Sequence, residues 1–207
     1  MRTILLTLII VVMFFGCNPS KKQENSKSNQ IEGFASPIEI ADNNFRKYIE
    51  SLDEISLPFK HSSSIEKFPE LSINYDKQMF EKFKNKMGYA EKPFGVLFKN
   101  DNNIVTIDLL VGDIENIPVI MSYDLVGNKI DSLWLYQKSG YDMGYAGIAY
   151  FTIYEDRRIM VADSTKIWEL NEDETNIIED SFSITVDTVF YQITDNGKIV
   201  LTNIRNK

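Results

Sequence analysis

The chain has 207 residues, of which 43% are hydrophobic and 25% charged, with a net charge of −8. This composition is typical of a folded domain and excludes a disordered or collagen-like chain. It contains one Cys and one His, which excludes an internal disulfide, a four-cysteine zinc site and any mechanism that needs two imidazoles. We therefore predict no metal and no cofactor, and composition leaves the biochemical activity open.

The first residues have the pattern of a signal peptide. Met1-Arg2 is followed by an uncharged run from Thr3 to Phe15, which ends at Gly16-Cys17. A membrane-spanning helix needs about 20 apolar residues, so this run is too short for one. No Ala occurs before Ala35, and an ordinary secretory cleavage site is therefore missing.

The residues Phe14-Phe15-Gly16-Cys17 resemble the lipobox of bacterial lipoproteins, in which a Cys preceded by Gly or Ala receives a diacylglyceryl thioether. The two aromatic residues replace the usual Leu and Ala or Ser. The resemblance implies that residues 1–16 are removed and that Cys17 becomes a lipidated N-terminus bound to a membrane. Because Asn18 and not Asp follows, we expect the outer membrane of the cell envelope, on its periplasmic or surface face.

Two further regions follow the signal peptide. Residues 18–30 contain no aromatic or aliphatic side chain, so residues 17–41 are predicted to be a lipidated Cys and a flexible tether. Residues 42–207 are predicted to form a single globular domain, with a helical lead over 42–92 and a β body over 93–207.

The helical lead contains two short amphipathic patterns. Apolar residues at i, i+3, i+4 and i+7 after Asp42 predict a first helix, with Asp42 as its N-cap. A second helix is predicted over Asp76 to Met87, ending at Gly88. Between them, Ile55 to Phe59 alternate like a short strand, and Pro58 places it at a sheet edge.

From Pro93 onward the apolar period becomes two, and turn residues interrupt it every eight to fifteen residues. This predicts a mainly β fold, an antiparallel meander of about ten strands that is either a barrel or an incomplete propeller-like sheet. The predicted first helix is followed by Ile55 to Phe59, and three predicted hairpins have acidic turns, at Tyr123-Asp124, Glu155-Asp156 and Asp195-Asn196. In these features the mature chain is diffusely similar to uncharacterised envelope lipoproteins of Gram-negative bacteria. The predicted strands are 94–99, 104–111, 119–123, 130–137, 148–154, 158–162, 166–170, 182–186, 189–193 and 199–204.

The charge of the predicted β body limits the classes of partner that the chain can bind. Residues 101–207 carry 8 Lys and Arg against 18 Asp and Glu, so nucleic-acid binding is not expected. The densest acidic stretch, 171–180, lacks the spacing of a calcium loop and is interpreted as a solvated loop. His61 with Ser62 to Ser64 lacks the geometry of a catalytic triad, so no catalytic residue is predicted.

The loop from Ser139 to Gly147 is the most suggestive ligand site. Its glycines permit an open conformation, and Tyr141 and Tyr145 offer flat apolar faces of the kind that bind sugars or extended peptides. Trp134 and Tyr136 precede the loop at alternating positions and extend the same platform. The alternative is that these aromatic residues cap the core.

The function predicted from these observations is a membrane-anchored, monomeric lipoprotein that binds or scaffolds a glycan or a peptide without catalysis. One alternative is a glycan- or peptide-processing enzyme that uses carboxylates. Another is an inhibitor or a structural subunit of an envelope complex, which predicts an exposed apolar patch on the β body.

Overall fold

The computed structural model describes residues 39–63, 75–84, 86, 90–112 and 116–202, and all structural statements concern these residues. The signal segment, Cys17 and most of the tether lie outside them. In chain order the elements are α1 (Asn43–Glu50), β1 (Phe59–Ser62), α2 (Lys77–Phe83), β2 (Ala90–Lys99), β3 (Ile104–Val111), β4 (Asn116–Tyr123), β5 (Lys129–Trp134), β6 (Gly140–Asp142), β7 (Tyr145–Ile153), β8 (Arg158–Ile167), β9 (Ser183–Ile193) and β10 (Ile199–Thr202).

These strands form two sheets in which every pair is antiparallel. The first sheet is a four-stranded meander in the order β2-β3-β4-β5. The second has the order β1-β7-β8-β9-β10, with β6 paired to β7. The prediction of a mainly β, antiparallel fold with about ten strands and two helices is therefore confirmed.

Turn chemistry explains the hairpins of the first sheet. The Asn100 side chain accepts hydrogen bonds from the backbone N–H groups of Asn102 and Asn103, which closes the β2–β3 turn. The Asp124 carboxylate accepts from Val126 and Asn128 in the β4–β5 turn. Asn and Asp favour such turns because their short side chains satisfy the backbone locally.

Two apolar cores flank the first sheet. One lies between the two sheets, and its large buried members include Ile107, Ile120, Leu135, Phe151 and Ile153. The other lies between the opposite face of the first sheet and the helices, where Phe45, Tyr48, Ile49, Phe80 and Tyr123 are buried. The order of layers is therefore helices, first sheet, second sheet. The central strand β3 is covered on both faces.

The helix start signals in the sequence correspond to the structure. Asp42 is the N-cap of α1 and accepts a hydrogen bond from the N–H of Phe45 at 2.7 Å. Asp76 caps α2 in the same way. The helix α2 ends at Phe83, earlier than the predicted end at Met87, and the predicted cap Gly88 lies outside the described residues. Only α1 precedes all strands, because β1 comes between the helices.

Several strand predictions need correction. The described strands form two open sheets, so the barrel alternative is not what this part of the chain adopts. The strand predicted before His61 begins at Phe59 and continues to Ser62, at the sheet edge as Pro58 suggested. The predicted strand 166–170 is the end of β8, which stops at Ile167. The two strands predicted on either side of Asp187 are one continuous β9, because the register with β8 runs unbroken through Asp187.

Candidate functional site

The chain crosses from the first sheet to the second through residues 135–139. Here the backbone N–H of Leu135 donates to the carbonyl of Pro118, which continues the β4–β5 pairing one residue beyond β5. The crossing leaves an open groove of about 600 Å³. Its lining mixes apolar and polar side chains: Ile117, Ser132, Leu133, Trp134, Tyr136, Gln137 and Ser139.

Two of the four aromatic residues predicted to bind a ligand, Trp134 and Tyr136, line this groove. Trp134 is half-buried and packs against the core under the helices. Tyr136 is buried in the core between the sheets, and its hydroxyl is hydrogen-bonded to Nδ1 of His61. Trp134 therefore has the freer aromatic face, whereas the Tyr136 ring is held in place by its neighbours.

The other two aromatic residues, Tyr141 and Tyr145, lie outside the groove. The predicted loop that contains them is a β-hairpin, because β6 pairs with β7 through Tyr141 opposite Ala146 and Asp142 opposite Tyr145. Neighbouring residues on a strand point to opposite faces, so the two tyrosines lie on opposite faces of the sheet. Tyr141 is 58% exposed, and the Tyr145 hydroxyl donates to the carbonyl of Lys138. The structure therefore does not bring the four aromatic residues together on one platform.

Gly147 explains why the hairpin can lie so close to the crossing segment. A Cβ at this position would be 1.8 Å from the carbonyl oxygen of Lys138. Only glycine permits two backbones to approach this closely. Gly147 therefore serves backbone packing, a role that the sequence pattern did not separate from that of an open binding loop.

A charged cluster of Lys138, Asp163 and Asp187 lies beside the crossing segment. It is on the face of the second sheet that is turned toward the first sheet. The Lys138 ammonium forms an ion pair with Asp187 at 2.5 Å, and the hydrogen bond from Lys138 to Asp187 raises the pKa of the lysine. Asp163 lies directly opposite Asp187 in the β8–β9 register. One oxygen of the buried Asp163 carboxyl has no hydrogen-bond partner among the described residues.

Burial raises the pKa of Asp163, and the neighbouring Asp187 charge acts in the same direction, whereas Lys138 opposes the shift. The cluster thus holds one carboxyl whose pKa is raised by burial beside a second carboxyl that is paired with Lys138. Carboxylate enzymes use such differences in environment to separate a proton donor from a base. Sequence reasoning missed it, and the only signal was an Asp at a core-facing position of the alternating strand β8.

A second buried carboxyl, Asp108, lies on β3 under the helices. Both of its oxygens lack hydrogen-bond partners in the described part of the chain. Burial, followed by the charge of Glu91, raises the pKa of Asp108 to about 8. Tyr48 and Tyr123 lie close enough for the Asp108 charge to raise their pKa values as well, after the effect of burial. Asp108 lines none of the grooves described above, so we interpret it as a feature of the core.

The acidic stretch 171–180 is a self-contained turn. The Asn171 side chain accepts hydrogen bonds from the N–H groups of Thr175 and Asn176, and the Asp173 carboxylate accepts from the Thr175 hydroxyl. Within the described ranges, no group of three or more His, Cys, Asp or Glu side chains is arranged to hold a metal ion. The part of the chain that the structure describes also contains no helix with the length and apolarity of a membrane span.

No family model, curated protein or solved structure matches this chain significantly.

Proposed function

We propose that this protein is a lipid-anchored lipoprotein of the bacterial cell envelope whose domain binds a glycan or a peptide without catalysis. The anchor is the thioether-linked lipid on Cys17, supported by the apolar run that ends at Gly16-Cys17. Several acyl chains, at about 0.8 kcal/mol per buried methylene, hold such a protein on a membrane almost permanently. The proposal includes the outer membrane as its location and a monomer as its state. The two successive sheets fit the incomplete propeller-like version of the fold.

The observation that carries the binding proposal is the groove at the sheet crossing. Its one half-exposed indole, Trp134, shares the groove lining with the polar side chains of Ser132, Gln137 and Ser139. A flat apolar ring beside hydroxyl and amide groups suits the apolar faces and hydroxyl rims of sugars, and also suits extended peptides. The acidic surface of the domain argues against polyphosphates and nucleic acids as ligands.

A binding screen of the protein against neutral oligosaccharides and short peptides tests this proposal. With the tightest binder found, Trp134→Ala should lower the affinity at least tenfold, since a central aromatic contact contributes on the order of 1 to 2 kcal/mol. Tyr141→Ala is the matched control, because it removes an exposed aromatic ring that lies outside the groove. Equal losses in the two variants, or a loss only in Tyr141→Ala, would contradict the proposed site.

An enzymatic function is a second candidate, and the Asp163, Asp187 and Lys138 cluster is the observation that favours it. On this alternative, Asp163, whose pKa is raised by burial, protonates a leaving group, and the neighbouring carboxyl of Asp187 stabilises positive charge. On this alternative, Asp163→Asn abolishes turnover of a glycan or peptide substrate and leaves its affinity nearly unchanged. Reproducible product formation by the wild-type protein, lost in that variant, would replace the non-catalytic proposal.

A third candidate, a subunit or inhibitor in an envelope complex, requires an exposed apolar surface on the β body. Such a surface exists on β9, where Ile184 and Val186 are 59% and 65% exposed.

A further inference from the structure

Among the described residues, one side of strand β9 is unpaired for most of its length. On its other side, β8 pairs with β9 continuously from Ser183 to Gln192. On the open side, β10 pairs only with residues 190–193. No strand of the described chain pairs with residues 183–189 on that side. Seven residues of extended backbone span about 23 Å, so the free hydrogen-bonding edge is long enough to receive another strand.

This open segment has one charged residue, Asp187, whose carboxylate is paired with Lys138, and it lacks the other features by which folded proteins usually protect a strand edge. Its sequence, Ser-Ile-Thr-Val-Asp-Thr-Val, contains no Pro, Gly or Lys, and its register with β8 has no bulge. By contrast, the edge strand β1 carries Lys60 and follows Pro58, and the edge strand β2 contains Pro93 and two register shifts. Unprotected edges rich in β-branched residues pair readily with other chains.

Two large apolar side chains of the open segment are exposed. Ile184 and Val186 point to the same face of the sheet, and Phe182, immediately before the strand, is 44% exposed. An added strand would cover these side chains with its own alternating residues. Backbone hydrogen bonds would provide affinity and the apolar row would provide selectivity, as in known cases of strand addition.

Charge indicates the chemistry of the partner. Residues 167–197 contain eight Asp and Glu and no Lys or Arg. Five of these acidic residues lie in the exposed turn that leads directly into the open segment: Glu172, Asp173, Glu174, Glu179 and Asp180. A second copy of this chain, with its own net charge of −8, would be repelled at this edge. A cationic partner would be attracted.

We propose that residues 183–189 bind an extended, cationic segment of another polypeptide, which adds to the second sheet as a strand beside β9. Its apolar residues contact Ile184 and Val186 on one face. Its Lys or Arg residues lie toward the acidic turn at 172–180. This surface is separate from the groove at Trp134, so the proposal does not depend on the binding function proposed above.

The test uses the full chain in detergent and a fluorescent nine-residue peptide that alternates Lys and Val. Two comparison peptides separate the contributions of strand pairing and of charge to binding. In one, every second backbone amide is N-methylated, which blocks strand pairing but keeps the charge. In the other, Glu replaces Lys. We expect the unmodified peptide to bind and both comparison peptides to lose at least tenfold in affinity. Hydrogen exchange of the backbone amides in 183–189 should slow when the unmodified peptide is bound.

The matched variants add two positive charges at neighbouring places. Ile184→Lys with Val186→Lys repels the peptide on the open segment and should weaken binding at least tenfold. Val200→Lys with Leu201→Lys makes the same change on β10 and should weaken it less than threefold, although both residues are exposed.

Three results would overturn the proposal. The first is equal binding of the N-methylated peptide, which indicates simple charge attraction. The second is an equal loss in the two double variants. The third is a dimer of the full chain that Ile184→Lys with Val186→Lys dissociates, which assigns the edge to a second copy.

Discussion

The buried carboxyl of Asp108 should make the stability of this protein depend on pH in a specific way. Its pKa in the folded chain is about 8, against 3.8 for an ordinary Asp side chain. Below pH 3.8 the Asp108 carboxyl is protonated in both the folded and the unfolded chain, so its ionisation does not lower the free energy of unfolding there. Between these two pKa values the carboxyl is ionised only in the unfolded chain, so rising pH favours the unfolded chain. Above about pH 8 the carboxyl ionises in the folded chain as well, and this effect ends.

The magnitude follows from the size of the shift. Each pH unit between the two pKa values lowers the free energy of unfolding by about 1.4 kcal/mol, so Asp108 alone removes up to about 4 kcal/mol between pH 4 and pH 7. Asp108→Asn keeps the shape and cannot ionise. The buried amide of the variant costs about 1 to 3 kcal/mol if it finds no partner, but that cost is the same at every pH. The stability difference between variant and wild type should therefore shift in favour of the variant by about 2 to 4 kcal/mol over this range.

Urea denaturation of both proteins at intervals from pH 4 to pH 8 measures this difference, with tryptophan fluorescence as the readout. Other carboxylates titrate in both proteins, so the comparison isolates Asp108. The charged and titratable groups that interact with it, Glu91, Tyr48 and Tyr123, are present in both. Parallel stability profiles for the two proteins would refute the reasoning.

Three further predictions concern the anchor, a helix cap and a turn. Mass spectrometry of the membrane-extracted protein should show acyl mass on Cys17, and a Cys17→Ala chain that is still cleaved and equally membrane-bound would contradict lipidation. Asp42→Ala should lower the free energy of unfolding by about 1 kcal/mol in urea, because it removes the N-cap hydrogen bond of α1; an unchanged midpoint would argue against the cap. Gly197→Ala should cost about 1 to 3 kcal/mol, because φ is +80° and the new Cβ would lie 2.6 Å from a serine hydroxyl on β4. Gly144→Ala, with a similar φ of +77° but a nearest contact of 3.1 Å to a leucine side chain, should cost less, and equal losses would exclude the close contact as the cause.

Local chemistry made part of the fold predictable from sequence. The Asn-rich turn at 100–103 and the turn at 126–128 close hairpins by short-range hydrogen bonds, so the strands on either side were predictable. The caps Asp42 and Asp76 are also local signals. The pairing of β1 with β7 joins residues about ninety positions apart, for example His61 with Phe151, and no local pattern encodes it.

The candidate site was only partly predictable for a related reason. An alternating pattern reveals the buried face of a strand when the other face meets solvent. Strand β3 is buried from Ile104 to Leu110 on both faces, so its sequence could not mark Asp108 as a buried carboxyl. The aromatic residues around Ser139 to Gly147 were visible in the sequence. Their division between a groove, a core and an outer face depends on the β6–β7 register, which glycine-rich sequence does not specify.

The central claim is that the groove at the sheet crossing binds a ligand through Trp134. The protein contains two tryptophans, and Trp168 does not line this groove, so its indole N–H signal is an internal control. The most direct measurement is an NMR titration of the two indole N–H resonances with the tightest-binding oligosaccharide or peptide from the screen. The account predicts a saturable shift of the Trp134 resonance and a stationary Trp168 resonance. A ligand that binds while Trp134 stays unshifted, or that moves only Trp168, would contradict it.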